Sequence, residues 1–233
     1  MSIKENIEEI KEIKNAAALK SGRSGEEVLL VAVSKTRTPE EINEAIDAGI
    51  TDIGENKVQE IMDKFDSVKP VKWHLIGHLQ TNKVKYIIDK VSMIHSVDSI
   101  KLAEEINKRA AQHDRIMDIL IQVNAAQEES KFGITTDETE SLIKEILENY
   151  SNIRLRGLMC IAPFEENPDD VRVFFSQVKE QYDRFSAIQH ERLDFKYLSM
   201  GMSHDFEVAI EEGSNLIRVG TAIFGARNYN KTV

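Results

Sequence analysis

The chain has 233 residues, of which 41% are hydrophobic and 30% charged, a balance typical of a globular protein with a sizeable core. Forty acidic against thirty basic residues give a net charge of −10, which disfavours general nucleic-acid binding, because phosphate neutralisation requires a basic surface. The single cysteine excludes an intrachain disulfide and a cysteine-based zinc site. No apolar run approaches the roughly 18 residues that span a bilayer, and the charged start contains no signal segment, so we predict a cytoplasmic protein.

The first predicted element is a helix over residues 1–20. Ile3, Ile7 and Ile10 recur at spacings of three and four, which places them on one helical face. Ser2 and Glu5 form the sequence pattern of a capping box at its start. A segment rich in glycine and serine at residues 21–25 ends the helical pattern.

From residue 26 to residue 225, short β-branched apolar runs alternate with segments of helical periodicity. Seven such helical segments lie between eight predicted strands, and the 200 positions give an average of 25 residues for each strand with its helix. Strands that alternate with helices indicate a parallel sheet, and eight such units can close into a barrel. The predicted strands are residues 28–34, 51–55, 73–77, 93–98, 118–124, 153–161, 197–201 and 215–220.

We therefore predict an α/β protein that is a single (β/α)8 TIM barrel over residues 26–225 with an extra N-terminal helix over residues 1–20, in one domain of residues 1–233. The alternative is an open doubly wound sheet, which usually carries a glycine-rich phosphate turn after its first strand. Here that turn reads Ser34-Lys35-Thr36-Arg37 and contains no glycine, which favours the barrel.

In such barrels the functional groups lie at the C-terminal ends of the strands. Lys35 ends the first strand, where burial favours the neutral amine that forms Schiff bases with aldehydes. The alternative for this residue is a lysine that extends to solvent or pairs with a glutamate.

Two glycine turns follow the seventh and eighth strands, where barrels often bind phosphate. Gly201-Met202-Ser203 and Arg218-Val219-Gly220-Thr221 each offer backbone N–H groups and a hydroxyl. Together they indicate a phosphorylated ligand, although either glycine alone could simply close a tight turn.

The histidines do not predict a metal site. His74 and His78 are four residues apart, but they lie on a strand and its following turn rather than on one helical face. His95 and His204 fall in other units, and no carboxylate spacing completes a ligand set.

Several long motifs in fixed order cover essentially the whole chain, and they are VAVSKTRTPEEI, GENKVQE, WHLIGHLQTNK, VNAAQEESKFGI, GLMCIAP and LSMGMSHDFEVAIEEGSNLIRVGTAIFG. In this combination the sequence closely resembles the pyridoxal phosphate homeostasis protein family. That family is related in fold to the N-terminal barrel of alanine racemases and of eukaryotic-type ornithine decarboxylases. The resemblance implies a (β/α)8 barrel that binds pyridoxal 5′-phosphate (PLP) as a Schiff base.

The resemblance also implies roles for particular residues. The lysine of VAVSK, here Lys35, would carry the cofactor, and Arg218 would face its pyridine nitrogen. The serines, glycines and threonine of the last two motifs would contact the phosphate, and Asn56 and His78 would line the pocket. The implied cofactor-binding residues are Lys35, Asn56, His78, Ser199, Gly201, Ser203, Arg218, Gly220 and Thr221.

An arginine at the pyridine nitrogen would keep that nitrogen unprotonated, which weakens PLP as an electron sink. The racemase relatives also use a tyrosine from a second domain, for which this chain leaves no length, and the tail from Ala226 to Val233 is too short to cover the barrel mouth. We therefore predict a protein that stores, buffers or delivers PLP with little or no turnover. It would be a monomer that contacts PLP-dependent apoenzymes transiently and binds neither nucleic acid nor membrane.

Two enzyme functions stay open as alternatives. The first is a single-domain PLP-dependent amino-acid racemase, with Lys35 as one base and a pocket histidine or water as the other. The second is a class I aldolase acting on a phosphorylated aldehyde. Barrel aldolases typically carry their lysine on a middle or later strand, whereas the sixth strand here carries Arg154 and Arg156 but no lysine.

Overall fold

The computed structural model describes residues 1–128 and 131–226. Its strands are β1 (Leu29–Val33), β2 (Asp52–Glu55), β3 (Lys72–Leu75), β4 (Met93–Val97), β5 (Met117–Val123), β6 (Ile153–Cys160), β7 (Leu193–Ser199) and β8 (Leu216–Val219). They pair in parallel in chain order, and β1 also pairs with β8, so the sheet closes on itself. The predicted (β/α)8 barrel is confirmed. Of the tail discussed above, residues 227–233 lie outside the described residues.

Helices connect the strands on the outside of the barrel. They are α1 (Ile3–Lys20), α2 (Pro39–Asp47), α3 (Val58–Lys64), α4 (Ile100–Gln112), α5 (Thr139–Asn149), α6 (Arg172–Ser186), α7 (Phe206–Glu211) and α8 (Thr221–Phe224). Short 3-10 helices cover Gly25–Glu27, Phe65–Ser67, Thr81–Tyr86 and Pro168–Val171. No helix in the described ranges is long and apolar enough to cross a membrane.

The extra N-terminal helix packs against α7 and α8, the two shortest α-helices of the described residues. It begins with the predicted capping box, in which the Ser2 hydroxyl accepts from the Glu5 N–H and the Glu5 carboxylate accepts from the Ser2 N–H. α1 contacts α2, α7 and α8, and the last two are only six and four residues long. The Asn6 amide also donates to the Ile223 carbonyl at 2.7 Å. α1 thus covers apolar surface that α7 and α8 are too short to bury.

Side-chain alternation divides the core into two parts. On β1, Leu30 and Ala32 belong to the large cluster between sheet and helices, so Val31 and Val33 point into the barrel. A smaller interior cluster contains Met93, Leu120 and Met159. Continued past the strand, the same alternation brings Lys35 to the side of Val33, at the C-terminal mouth of the barrel.

Two elements differ from the sequence prediction by more than small shifts of strand ends. β7 begins at Leu193, four residues before the predicted start. The prediction was late because the exposed Asp194 and Lys196 alternate with Leu193 and Phe195, so the sequence shows no continuous apolar run there. The connection from β3 to β4 is helical as predicted, but it is the six-residue 3-10 helix Thr81–Tyr86, which has no side-chain cap.

Candidate functional site

A cavity of about 310 Å³ lies at the C-terminal ends of the strands, at the lower end of the size range for small-molecule sites. Apolar walls come from Val33, Ile76 and Ile161. The polar lining contains six of the predicted site residues, which are Lys35, Asn56, Ser203, Arg218, Gly220 and Thr221. The barrel therefore brings residues from opposite ends of the chain to one cavity, because β1 and β8 are neighbours.

The turn that carries Lys35 is strained and held on both sides. Lys35 is partly buried, and the next residue, Thr36, has φ = +65°, a conformation that β-branched residues rarely adopt. The Thr36 N–H donates to the Glu60 carboxylate at 2.5 Å, and the Ser34 N–H donates to the Gly54 carbonyl at 3.0 Å. These contacts fix the direction in which the Lys35 side chain leaves the backbone.

A buried ionic network lies beneath the same turn. The Lys64 ammonium donates to the Ser34 carbonyl at 3.1 Å and to the carboxylates of Glu55 and Glu60 at 2.8 Å each. Glu55 is fully buried, and burial raises the pKa of its carboxyl although Lys64 acts in the opposite direction. Sequence reasoning missed this network, because its members are spread over β2, α3 and the turn after β1 with no common spacing.

We expect Lys64→Met to lower the free energy of unfolding by about 3–5 kcal/mol, because it leaves the Glu55 carboxylate buried without its cation. Urea denaturation followed by circular dichroism measures the change. Lys101→Met on α4 is the control, since Lys101 is exposed and such surface changes usually stay within about 0.5 kcal/mol. Equal stability losses in the two variants would contradict a role for Lys64 in holding this turn.

Arg218 is a buried cation whose orientation is fixed by the barrel wall. Its Nη1 donates to the Ser199 carbonyl at 2.9 Å and to the Ser199 hydroxyl at 2.5 Å, and its Nη2 donates to the Cys160 carbonyl at 2.9 Å. Burial lowers the pKa of Arg218 to about 10, while Cys160 and Asp205 act in the opposite direction. With that pKa the guanidinium stays protonated at neutral pH, so it presents a fixed positive charge to the cavity.

The two glycine turns meet through one serine hydroxyl. Ser203 Oγ accepts from the Gly220 N–H at 3.2 Å and from the Ala222 N–H at 3.4 Å. Gly201 has φ = +91°, and a Cβ there would lie 2.7 Å from a side-chain carbon of α7, so only glycine fits without a shift. Thr221 adds an exposed hydroxyl-bearing residue beside Gly220. Amide and hydroxyl donors thus cluster at one end of the cavity, as anion binding requires.

Three predicted site residues do not line the cavity. Ser199 is fully buried and contacts Arg218 instead, and Gly201 shapes its turn. His78 lies outside the cavity lining, where its ring stacks on the Phe132 ring with 3.9 Å between centroids.

Two further polar residues of the lining, Arg37 and His204, had no predicted role. Arg37 donates to the Gly225 carbonyl at 2.5 Å, and its guanidinium carbon lies 5.6 Å from the Phe224 ring centroid. His204 Nε2 lies 3.0 Å from the Glu165 carbonyl oxygen. Both residues sit in loops beyond a strand end, where strand alternation gives no signal for the direction of a side chain.

Nothing in the described ranges resembles a metal site. Within residues 1–128 and 131–226, no three histidine, cysteine, aspartate or glutamate side chains come together as metal coordination would require.

Sequence comparison connects the chain to known proteins. The family model described as alanine racemase, N-terminal domain, matches residues 3–228. The chain is 43% identical to the pyridoxal phosphate homeostasis protein of Aquifex aeolicus, over 98% of this chain and 100% of that protein. It is 39% identical to the protein of the same name from Escherichia coli K12, over 98% of each chain.

Solved structures give the same relationship. PipY of Synechococcus elongatus PCC7942, with PLP bound, superposes with a TM-score of 0.82 at 31% identity, over 96% of this chain and 100% of that one. A Bifidobacterium adolescentis protein described as unknown gives a TM-score of 0.89 at 36% identity, over 95% and 94% of the two chains. An alanine racemase from Clostridium difficile shares the fold at 12% identity and a TM-score of 0.72, and this chain spans 58% of it. The chain therefore belongs to the family of pyridoxal phosphate homeostasis proteins, whose barrel is that of the alanine racemase N-terminal domain.

Proposed function

We propose that the protein binds PLP through a Schiff base to Lys35 and serves PLP homeostasis by storing, buffering or delivering this cofactor. The observation that carries the proposal is the convergence of Lys35, Arg218 and the turns at Ser203 and Gly220 on one cavity. The names of the Aquifex and E. coli relatives and the PLP bound by PipY support it.

The residues of the cavity fit the chemistry of PLP. An aromatic ring suits the walls formed by Val33, Ile76 and Ile161. A phosphate suits the hydroxyl and amide donors around Ser203 and Gly220, which lie at one end of the cavity. A Cβ at Gly220 would lie 3.2 Å from Val33, so glycine keeps this end wide enough for an anion close to the backbone.

Five residues of the lining then have a role toward the cofactor. When bound, PLP supplies an aldehyde that condenses with amines and a ring that withdraws electrons. The Lys35 amine forms the covalent link, and Ser203, Gly220 and Thr221 hold the phosphate. Arg218 presents its charge to the pyridine nitrogen, which opposes protonation there and weakens the electron withdrawal that amino-acid chemistry needs. This combination favours holding the cofactor over turnover.

The remaining predicted residues contribute less directly. Asn56 lines the wall next to Lys35, Gly201 shapes the phosphate turn, and Ser199 acts through Arg218. His78 would contact PLP only at the edge of the pocket. A cytoplasmic location, a monomeric state and transient contact with PLP-dependent apoenzymes stay predictions of this proposal.

Hydrogen exchange at the α-carbon of amino acids separates a PLP carrier from a racemase. The PLP-loaded protein is incubated in heavy water with single L-amino acids, and deuterium incorporation is followed by proton NMR. We expect no steady exchange at the rates of about 1–10³ s⁻¹ that enzymes reach. Steady exchange at such rates, lost in Lys35→Ala, would contradict the carrier function and favour the racemase.

A further inference from the structure

A chain of five buried polar side chains crosses the interior of the barrel. Asp52 Oδ1 lies 2.9 Å from His74 Nε2, and His74 Nδ1 lies 2.9 Å from His95 Nε2. His95 Nδ1 lies 3.4 Å from Ser199 Oγ, which accepts from Arg218 Nη1 at 2.5 Å. None of the five residues is more than 3% exposed. The function proposed above assigns no role to Asp52, His74 or His95.

The chain connects the two ends of the barrel. Asp52 is the first residue of β2, at the N-terminal end of the barrel and opposite the cavity. His74 and His95 continue it through β3 and β4, and Ser199 ends β7 beside Arg218. Arg218 is the only member of the chain that lines the cavity.

With both imidazoles neutral and Asp52 ionised, the hydrogen bonds of this series can run in one direction only. A guanidinium has no acceptor, so Arg218 donates to Ser199 and leaves the hydroxyl proton of Ser199 for His95 Nδ1. His95 then carries its own proton on Nε2 and donates it to His74 Nδ1. His74 in turn carries its proton on Nε2 and donates it to the Asp52 carboxylate. Every hydrogen bond of the chain thus runs from the cation toward the anion.

The surroundings favour a neutral imidazole at His95. Burial lowers the pKa of His95 well below its usual range, and a positive charge on Arg218, or on His74 if it were protonated, lowers it further. Burial acts to raise the pKa of Asp52, but hydrogen bonds from His74 and Thr51, with the charge of Lys72, bring it below its usual value. A proton on either imidazole would reverse a hydrogen bond and place a second positive charge near Arg218.

We propose that Asp52, His74, His95 and Ser199 are positioning residues that hold the Arg218 guanidinium in one orientation against the pyridine nitrogen of bound PLP. For the role of Arg218 this inference rests on the proposed function. Its consequence is that a carboxylate at the far end of the barrel helps to set the protonation of the cofactor, although it never touches it.

An apolar interior would stabilise the fold without the desolvation penalty that these buried polar side chains carry. Burying a carboxylate, a guanidinium and two imidazoles carries a desolvation penalty, and well-packed apolar replacements are often neutral or stabilising. Met93, Leu120 and Met159 show that the same interior accepts apolar side chains. A purely structural role therefore predicts that cutting the chain changes stability alone, whereas a positioning role predicts a change in the behaviour of Arg218.

The first test uses the protein without PLP. Histidines labelled with ¹⁵N report which ring nitrogen carries the proton, and His74→Phe and His95→Phe assign the two signals. We expect a neutral His95 that carries its proton on Nε2 and donates it to His74 Nδ1 from about pH 6 to 8. In Asp52→Leu the terminal acceptor is gone, and we expect His95, which Asp52 does not touch, to become a mixture of tautomers. A charged imidazole or an Nδ1 proton at His95 in the wild type would contradict the proposed series of hydrogen bonds from Arg218 to Asp52. An unchanged His95 signal in Asp52→Leu would contradict it as well.

The second test follows the absorbance of the PLP-loaded protein from about pH 6 to 9. In His95→Phe we expect the pH midpoint of the absorbance change that accompanies protonation of the pyridine nitrogen to rise by about 0.5–1 pH unit. A guanidinium that is held less firmly opposes this protonation less. The amount of borohydride-reducible PLP stays at the wild-type level. Met93→Leu, an apolar change in the same interior, is the control and leaves the midpoint unmoved.

The two tests separate this inference from the function on which it rests. An unmoved midpoint in His95→Phe, or an equal shift in Met93→Leu, would overturn the positioning role while PLP binding stands. If the wild type held no reducible PLP, the proposed function would fail, and the tautomers of the first test would still decide whether the chain exists.

Discussion

Lys35→Ala is expected to abolish covalent PLP binding while leaving the barrel folded. The substitution removes the only amine that we assign to the Schiff base, at the mouth of the barrel rather than in its packed interior. In this variant Lys64 still donates to the Ser34 carbonyl and to the carboxylates of Glu55 and Glu60 beneath the turn. The absorbance of bound PLP and the borohydride-reducible adduct should both disappear.

Weak noncovalent binding should persist in Lys35→Ala, because the donors at Ser203, Gly220 and Thr221 are untouched. The melting temperature should stay close to that of the wild type without PLP. Lys131→Ala is the matched control, since Lys131 in the segment SKFG is one of the other lysines that would have to be considered as the attachment site if Lys35 were not. A Lys35→Ala protein with the full absorbance of bound PLP and a reducible adduct would contradict the assignment of Lys35 as the attachment site. Loss of both signals in Lys131→Ala instead would identify Lys131 as that site.

Arg218→Ala is expected to change the protonation of bound PLP more than the affinity for it. Without the guanidinium, the pyridine nitrogen no longer faces a positive charge, so it should take up a proton at a higher pH. We expect the pH midpoint of the absorbance change that accompanies protonation of the pyridine nitrogen to rise by about one pH unit or more. This corresponds to a change of about 1.4 kcal/mol or more in the free energy of that protonation. The affinity should fall less than about ten-fold, because Lys35 and the phosphate donors remain.

The same substitution should lower the free energy of unfolding, since it leaves the buried carbonyls of Ser199 and Cys160 without their donors. Each such group costs about 1–3 kcal/mol. Arg218→Lys is the matched variant, because it keeps a cation near the cavity but loses the fork of donors that fixes it. Its midpoint should therefore lie between those of the wild type and Arg218→Ala. A large loss of affinity with an unmoved midpoint would contradict the placement of Arg218 at the pyridine nitrogen.

The barrel and the mouth of the site could be predicted because they depend on local patterns. Each strand is an apolar run between helix-start signals, and the C-terminal ends of parallel strands necessarily meet at one end of a closed sheet. Lys35, Asn56, Ser203 and Gly220 could therefore be grouped before any contact was known. β7 was placed four residues late for a local reason as well, since Asp194 and Lys196 interrupt its apolar pattern.

The contacts that orient the site could not be predicted, because they join residues far apart in sequence. Ser199 and His95 are separated by 104 positions and meet only through the curvature of the barrel. Ser199 resembles a phosphate contact in its motif, but it points inward and binds Arg218. Lys64 looks like a solvated residue at the end of α3, yet the fold buries it beside Glu55.

Borohydride reduction of the PLP-loaded protein, followed by peptide mapping with mass spectrometry, tests the central claim most directly. Reduction converts the linkage into a stable pyridoxyl group that stays on the lysine that carried it. We predict one pyridoxyl group per chain, located on the peptide that contains Lys35. A pyridoxyl group on any other lysine, or none after saturation with PLP, would contradict the account.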